Sequence, residues 1–216
     1  GAFVAWLWNH RRGKWARFGL AVLCISAMVE SGFLAWQRDV LLTQPDTRTQ
    51  ALSWIEANVA PGSALVMDHG QFLPAMAPPV RQTPSSIDRN YLNTDHGPVY
   101  PDRKIYVELL KEANGEPSYE VYPVLHDDFG GKSGFWDRPP PNSLEWYRSH
   151  GVAYAVLAGF EDQYREPTIQ VEFGEYVKPY VSFYDSVLKE GRLLAEFAPN
   201  GRLGPRIRIY CVTSSC

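Results

Sequence analysis

Three short clusters in the sequence pair an acid with an imidazole: Asp68-His69-Gly70, Asp95-His96-Gly97 and His126-Asp127-Asp128. Carboxylate and imidazole together could bind Zn²⁺ or Mn²⁺, and either alone could hydrogen-bond a hydroxylated acceptor. Their spacing matches no compact metal signature, so solvated turn residues are the simpler account and no metal ligand is assigned. Asp68, with His69 beside it, is the best site candidate, because it closes an apolar run and α/β sheets bind ligands beyond the C-terminal ends of parallel strands. Aromatic residues suggest sugar binding: Tyr91, Tyr100, Trp136, Tyr147 and Tyr164 could stack on pyranose faces, while Asp137 and Arg138 could hold hydroxyls or phosphate. The alternative for these rings is ordinary packing against the domain body. The chain has no G-x-S-x-G, P-loop, C-x-x-C or H-E-x-x-H, so hydrolase, nucleotide-binding and zinc-finger readings lack support.

The elements that must position these residues are legible in outline. Asp46 is placed to cap a helix in which Leu52, Ile55 and Val59 recur at helical spacing, and Pro61 with Gly62 stops it. Residues 63–68 form a compact apolar run between turn residues, which predicts a buried strand ending at Asp68. Residues 69–103 carry six prolines, Pro74, Pro78, Pro79, Pro84, Pro98 and Pro101, and read as a long loop. A short helix over 104–112 and a strand over 119–125 follow. Residues 129–142 mix Gly130, Gly131 and Gly134 with Phe135, Trp136 and a proline triplet, as a lid would. Asn142 and Glu145 resemble a capping box that starts a helix ending at His150 and Gly151, and 152–158 is the clearest buried strand. After an irregular stretch, Pro179 suits the first turn of a helix bearing Tyr180, Tyr184, Val187 and Leu188 on one face. A hairpin pairing 193–197 with 206–212 closes the chain. The expected fold is α/β with a mixed, partly parallel sheet and a C-terminal β-hairpin.

Ahead of this domain lies an apolar stretch, 18–36, extendable to 42, close to the roughly 20 residues a bilayer core requires. Glu30 interrupts it, at about 2.5 to 3.5 kcal/mol on insertion scales unless it faces protein or water. Trp15 and Trp36 bracket it as interfacial aromatics do, and the competing account is a buried helix of a soluble protein. Arg11, Arg12, Lys14 and Arg17 precede the stretch, which puts its N-terminal side in the cytoplasm. The expected organisation is 1–9 as the end of a preceding transmembrane helix, 10–17 as a cytoplasmic basic loop, 18–42 as the last transmembrane helix and 43–216 as one extracytoplasmic domain. A nucleic-acid role for the basic cluster is disfavoured by a net charge of -3 and the lack of a second basic stripe. Of 3 cysteines, Cys24 falls in the apolar stretch, while Cys211 and Cys216 could form a disulfide outside the cytoplasm or stay apart, Cys211 as a buried hydrophobe and Cys216 as a fraying terminus.

From Asp46 onward the residues resemble a family. Asp46-Thr47-Arg48, Ala51, Trp54-Ile55, Asn58 and Pro61-Gly62-Ser63 before an apolar strand look like the opening of the extracytoplasmic C-terminal domain of bacterial GT-C glycosyltransferases. These are multi-pass relatives of protein O-mannosyltransferases and lipid A aminoarabinose transferases. Trp146-Tyr147, His150-Gly151-Val152, Tyr154-Ala155-Val156, Tyr184 with Leu188, and the closing hairpin at 205–210 are similar to later parts of that domain. The resemblance implies an inner-membrane enzyme that moves a sugar from a polyprenyl-phosphate donor to an extracytoplasmic acceptor, with a divalent metal an option for the full-length enzyme. It also implies that the catalytic Asp belongs to the first outer loop, upstream of these residues, so no catalytic residue is assigned here. The piece is then expected to be inactive alone and to position acceptor or support structure. A membrane-anchored module that binds a sugar or a protein without catalysis is the other reading.

Overall fold

The computed structural model describes residues 14–70, 76–92, 103–113, 117–126, 140–201, 203–214 and 216. The chain divides into two units, Gly1–Gln44 and Pro45–Cys216. In the first, helix α1 runs Lys14–Thr43, 30 residues or about 45 Å at 1.5 Å per residue. It starts inside the stretch expected to be a basic loop, so Lys14 and Arg17 belong to the helix. Large apolar side chains stand exposed along its length, among them Phe18 at 65%, Leu23 at 70% and Met28 at 74%. The 18–42 segment is therefore helical, while among the described residues no helix is long and apolar enough to cross a membrane.

The second unit is an α/β domain on a five-stranded mixed sheet. Helix α2 (Thr47–Asn58) begins where the sequence placed it: the Asp46 carboxylate accepts the Thr49 backbone N–H at 2.9 Å, filling one of the donors a helix start leaves open. The strands are β1 (Ala64–Gly70), β2 (Glu120–His126), β3 (Val152–Leu157), β4 (Arg192–Phe197) and β5 (Ile207–Cys211), in the order β2-β1-β3-β5-β4. β1 runs parallel to both neighbours, and the β4–β5 hairpin is antiparallel, with β5 antiparallel to β3. Period-two alternation sends Leu65 and Met67 to one face, where they pack with Ala51, Ile55 and Val59 of α2. Val66 goes to the other face, against Leu144 and Tyr147 of α5 (Leu144–Ser149) and Tyr180, Tyr184 and Val187 of α7 (Pro167–Glu190). Helices on both faces make the sandwich that a buried parallel sheet requires.

Two proline readings are corrected. Residues 69–103 are not all loop, because Pro84 opens a helix, α3 (Pro84–Leu92), instead of breaking one. Thr83 Oγ1 accepts the Ser86 N–H at 3.2 Å, and a proline at the first helical position has no N–H to leave unsatisfied. The expected short helix is α4 (Arg103–Glu112). Likewise α7 starts at Pro167, not Pro179, which sits inside it; backbone angles depart from helical at Phe173 (φ -128, ψ 19). The cap of α5 is Ser143, whose hydroxyl accepts the Trp146 N–H at 3.1 Å, one residue after the expected Asn142.

α3 covers the outer edge of the sheet. Ser86 Oγ donates to the Val121 carbonyl at 3.0 Å and accepts the Val121 N–H at 2.9 Å, while Asn90 and Arg89 donate to the same carbonyl at 3.1 and 2.8 Å. Side chains thus take the place of a further strand on β2 and block edge-to-edge pairing. At the far end, Cys211 and Cys216 are joined by a disulfide with Cα atoms 5.9 Å apart, which ties the C-terminus to β5 and closes the question left open by the sequence.

Candidate functional site

The C-terminal end of β1 brings together more buried charge than any other place among the described residues. Asp68 is 0% exposed, and both its oxygens hold structural partners. Oδ1 accepts the Tyr184 hydroxyl from α7 at 2.6 Å, and Oδ2 accepts the Ala158 N–H at the end of β3 at 2.7 Å. Burial first, and the Asp68 charge second, push the Tyr184 hydroxyl well above its ordinary pKa. They act the same way on Tyr147, pushed up to about 12 although Asn142 hydrogen-bonds it.

Just past Ala158, Gly159 turns the chain with φ 92, a left-handed conformation that side chains disfavour, and starts the single turn α6 (Phe160–Gln163). That turn carries Glu161 inward to 0% exposure. Arg208 of β5 brings Nη2 to 2.7 Å from Glu161 Oε1 and shares the same nitrogen with Asp162 Oδ2 at 2.9 Å. Neither Glu161 oxygen is aligned for a hydrogen bond with a described residue, and Arg208 Nε has no such partner either. Burial raises the Glu161 pKa most, and Asp68 adds to it. Its own backbone N–H and Arg208 pull the other way without cancelling them, and the value stands at about 7. The charge of Asp68 thus acts on a second buried carboxyl group: Asp68 is hydrogen-bonded by Tyr184 and Ala158, whereas Glu161 has no aligned donor among the described residues.

A second cluster lies on the β2 edge. Trp146 and His150, one helical turn apart, stack with ring centroids 3.8 Å apart, and Tyr122 meets Trp146 edge-on at 6.1 Å. The Arg89 guanidinium sits 4.0 Å from the Tyr122 ring centre and pairs with Glu120. Burial alone would raise the Glu120 pKa; hydrogen bonds from Thr83, Arg89 and Ser85 overcome it and leave it lowered. These polar groups satisfy one another, so the cluster locks α3 to β2.

The sequence-derived candidates are placed as follows. Asp68 stands at the strand end, as expected, with its carboxylate engaged inside the fold. His69 is the next residue of β1, and strand register sets Gly70 opposite His126, which brings two of the three Asp/His clusters to adjacent strand ends. Trp136, Asp137, Arg138, Tyr100, the cluster at 95–97, Asp127 and Asp128 lie outside the described residues. Tyr147 and Tyr164 are 3% and 1% exposed, so they pack in the core and do not offer faces to a sugar. Among the described residues no group of three His, Cys, Asp or Glu is placed to hold a metal ion. Sequence reasoning missed Glu161. The available signal was an acid-rich turn, Glu161-Asp162, directly after a wholly apolar strand and a glycine. Trp146 and His150 were visible at i, i+4 spacing.

No protein-family model, curated protein or solved structure matches this chain.

Proposed function

We propose that this chain is the membrane-anchored, extracytoplasmic C-terminal part of a multi-pass glycosyltransferase of the inner membrane. In this reading the whole enzyme transfers a sugar from a polyprenyl-phosphate donor, and this part positions acceptor or stabilises the assembly without catalysing transfer. The observation that carries the anchor is α1, whose large apolar side chains from Phe18 to Leu42 stand open to their surroundings. In water each such side chain forgoes about 1.5 to 3 kcal/mol of burial, so an apolar cover is favoured, and in this reading the bilayer supplies it. Leu20, Ala21, Ala27 and Leu41 add to the apolar content of the same helix, and the basic residues just before it and in its first turn favour a cytoplasmic N-terminal side. The Cys211–Cys216 disulfide suits an oxidising compartment for the domain.

The non-catalytic role belongs to the same reading. Transfer needs a base within hydrogen-bond reach of the acceptor hydroxyl. Among the described residues, the buried acids near the C-terminal end of β1, Asp68 and Glu161, are both sealed from solvent. The test is reconstitution of the chain in lipid vesicles with a polyprenyl-phosphate-linked sugar and acceptor. The chain should float with the vesicles after alkaline carbonate washing and release no polyprenyl phosphate. Loss from the vesicles would overturn the anchor, and turnover would overturn the non-catalytic role. The coding sequence upstream should carry several further spans and an acidic residue in the first outer loop; a single-span gene would sink the transferase reading.

A further inference from the structure

Glu161 has no part in the proposed transfer, and its surroundings are unusual for a charged side chain. It is 0% exposed, and no described donor is aligned on either oxygen. A buried carboxylate without hydrogen bonds is unfavourable, whereas a buried carboxylic acid is tolerated. The groups facing it are mostly acids or phenols. Asp68 approaches from β1, and Asp162 from its own turn. Tyr184 of α7 and Tyr210 of β5 both have hydroxyls that feel its charge. Among the described residues Arg208 is the guanidinium at the carboxyl group, and its Nη2 is divided between Glu161 and Asp162. Arg165 donates to the Glu161 carbonyl oxygen at 2.8 Å, not to the carboxylate, and turns its other nitrogen to Asp185 at 2.5 Å. Arg206 reaches Asp162 at 3.8 Å and Glu196 at 3.5 Å. Ionising Glu161 in place would set its charge against Asp68 and Asp162, with Arg208, already shared with Asp162, as the counter-charge.

The mechanical link is short. Asp68 grips the Ala158 N–H, Ala158 leads into Gly159, and Gly159 sets the direction of α6, on which Glu161 sits. Residues 158–161 therefore link the charge state of Glu161 to the seating of α6, which Asp68 of β1 holds through Ala158 and Arg208 of β5 holds through Glu161 and Asp162.

We propose that Glu161 and Asp68 form a proton-operated latch at the C-terminal edge of the sheet: a proton on Glu161 holds α6 closed, and loss of that proton loosens α6 so that Glu161 can reach water. The latch stands on the domain alone and does not depend on the membrane reading. Because the closed form holds the proton more tightly than the open form, raising the pH favours opening until Glu161 is ionised in both.

Hydrogen exchange at the amides of 159–166, measured on the full chain in detergent micelles and corrected for the intrinsic pH dependence of exchange, tests this. Between pH 5 and about 7 their protection should fall about tenfold per pH unit and then level off. In Glu161→Gln it should stay flat. Unchanging protection in the wild type, or the same slope in the Gln variant, would overturn the latch. Should the variant not fold, infrared spectroscopy of the wild type decides. The carbonyl band of a protonated carboxylic acid should persist at pH 6, where ordinary glutamates are ionised, and vanish by pH 8; no such band at pH 6 would overturn the proposal.

Discussion

Tyr184→Phe separates the two roles open to Asp68, internal anchor or ligand-binding carboxylate. The substitution removes one oxygen and leaves the ring, which packs on Phe183 and Tyr164 at centroid distances of 5.3 and 6.2 Å, in place. What is lost is a 2.6 Å hydrogen bond to a carboxylate that is itself 0% exposed, so water does not replace the donor. Hydrogen bonds to charged groups are worth about 1.5 to 3 kcal/mol net, and the upper part of that range applies where the acceptor stays buried. The Ala158 N–H still serves Oδ2, which keeps the loss from reaching the full penalty of an unpaired buried charge. The expected destabilisation is about 2 kcal/mol. Asp68→Asn should cost less, since an amide oxygen can still accept from Ala158 and the repulsion with Glu161 disappears. Urea unfolding of the chain and its Tyr184→Phe, Asp68→Asn and double variants in detergent gives the cycle. The two changes should couple by about 1.5 kcal/mol or more. A loss below about 0.5 kcal/mol for Tyr184→Phe, or simple additivity, would refute the anchor role and return Asp68 to the list of free ligand-binding groups.

Three further outcomes are expected. Glu161 has its pKa raised to about 7 in the folded chain from 4.5, so the stability it confers is full below pH 4.5 and falls by about 3 kcal/mol as pH rises to 7 and beyond; urea midpoints should show this slope, and Glu161→Gln should flatten it. Cys216→Ser opens the short loop closed by the disulfide and should lower stability by about 2 kcal/mol, measured under non-reducing conditions against the wild type. Gly204→Ala drives a Cβ into Thr47 Oγ1 at φ +107, where Thr47 also donates to the Pro205 carbonyl at 2.7 Å; thermal unfolding should register a loss of about 2 kcal/mol or more.

What the sequence made legible followed local periodicity. The Asp46 cap, the apolar run into Asp68, the 152–158 strand and the closing hairpin each carry their signal within a few residues, and each is found within a residue or two of its expected bounds. The misplacements come from reading proline without its context. Pro84 and Pro167 both occupy the first helical position, where proline is favoured, and Pro179 is tolerated within a helix whose buried face of Val177, Tyr180, Phe183, Tyr184 and Val187 outweighs one missing hydrogen bond. The pairing of Asp68 with Tyr184 spans 116 residues and that of Ser86 with Val121 spans 35, so no local pattern foretells them. Asp68 was visible as a residue and its duty was not, because a strand-end carboxylate looks the same in sequence whether it meets a ligand or a buried tyrosine.

The central claim, a domain held outside the cytoplasm by α1, is tested most directly by thiol accessibility. Ser182 lies exposed on α7, and Cys24 is the free cysteine among the described residues. In cells expressing a Ser182→Cys, Cys24→Ala variant, a membrane-impermeant maleimide added from the outer side of the inner membrane should label Cys at position 182 without permeabilisation, with the protein in the membrane fraction. Labelling only after the inner membrane is breached, or recovery of the protein in the soluble fraction, would contradict it.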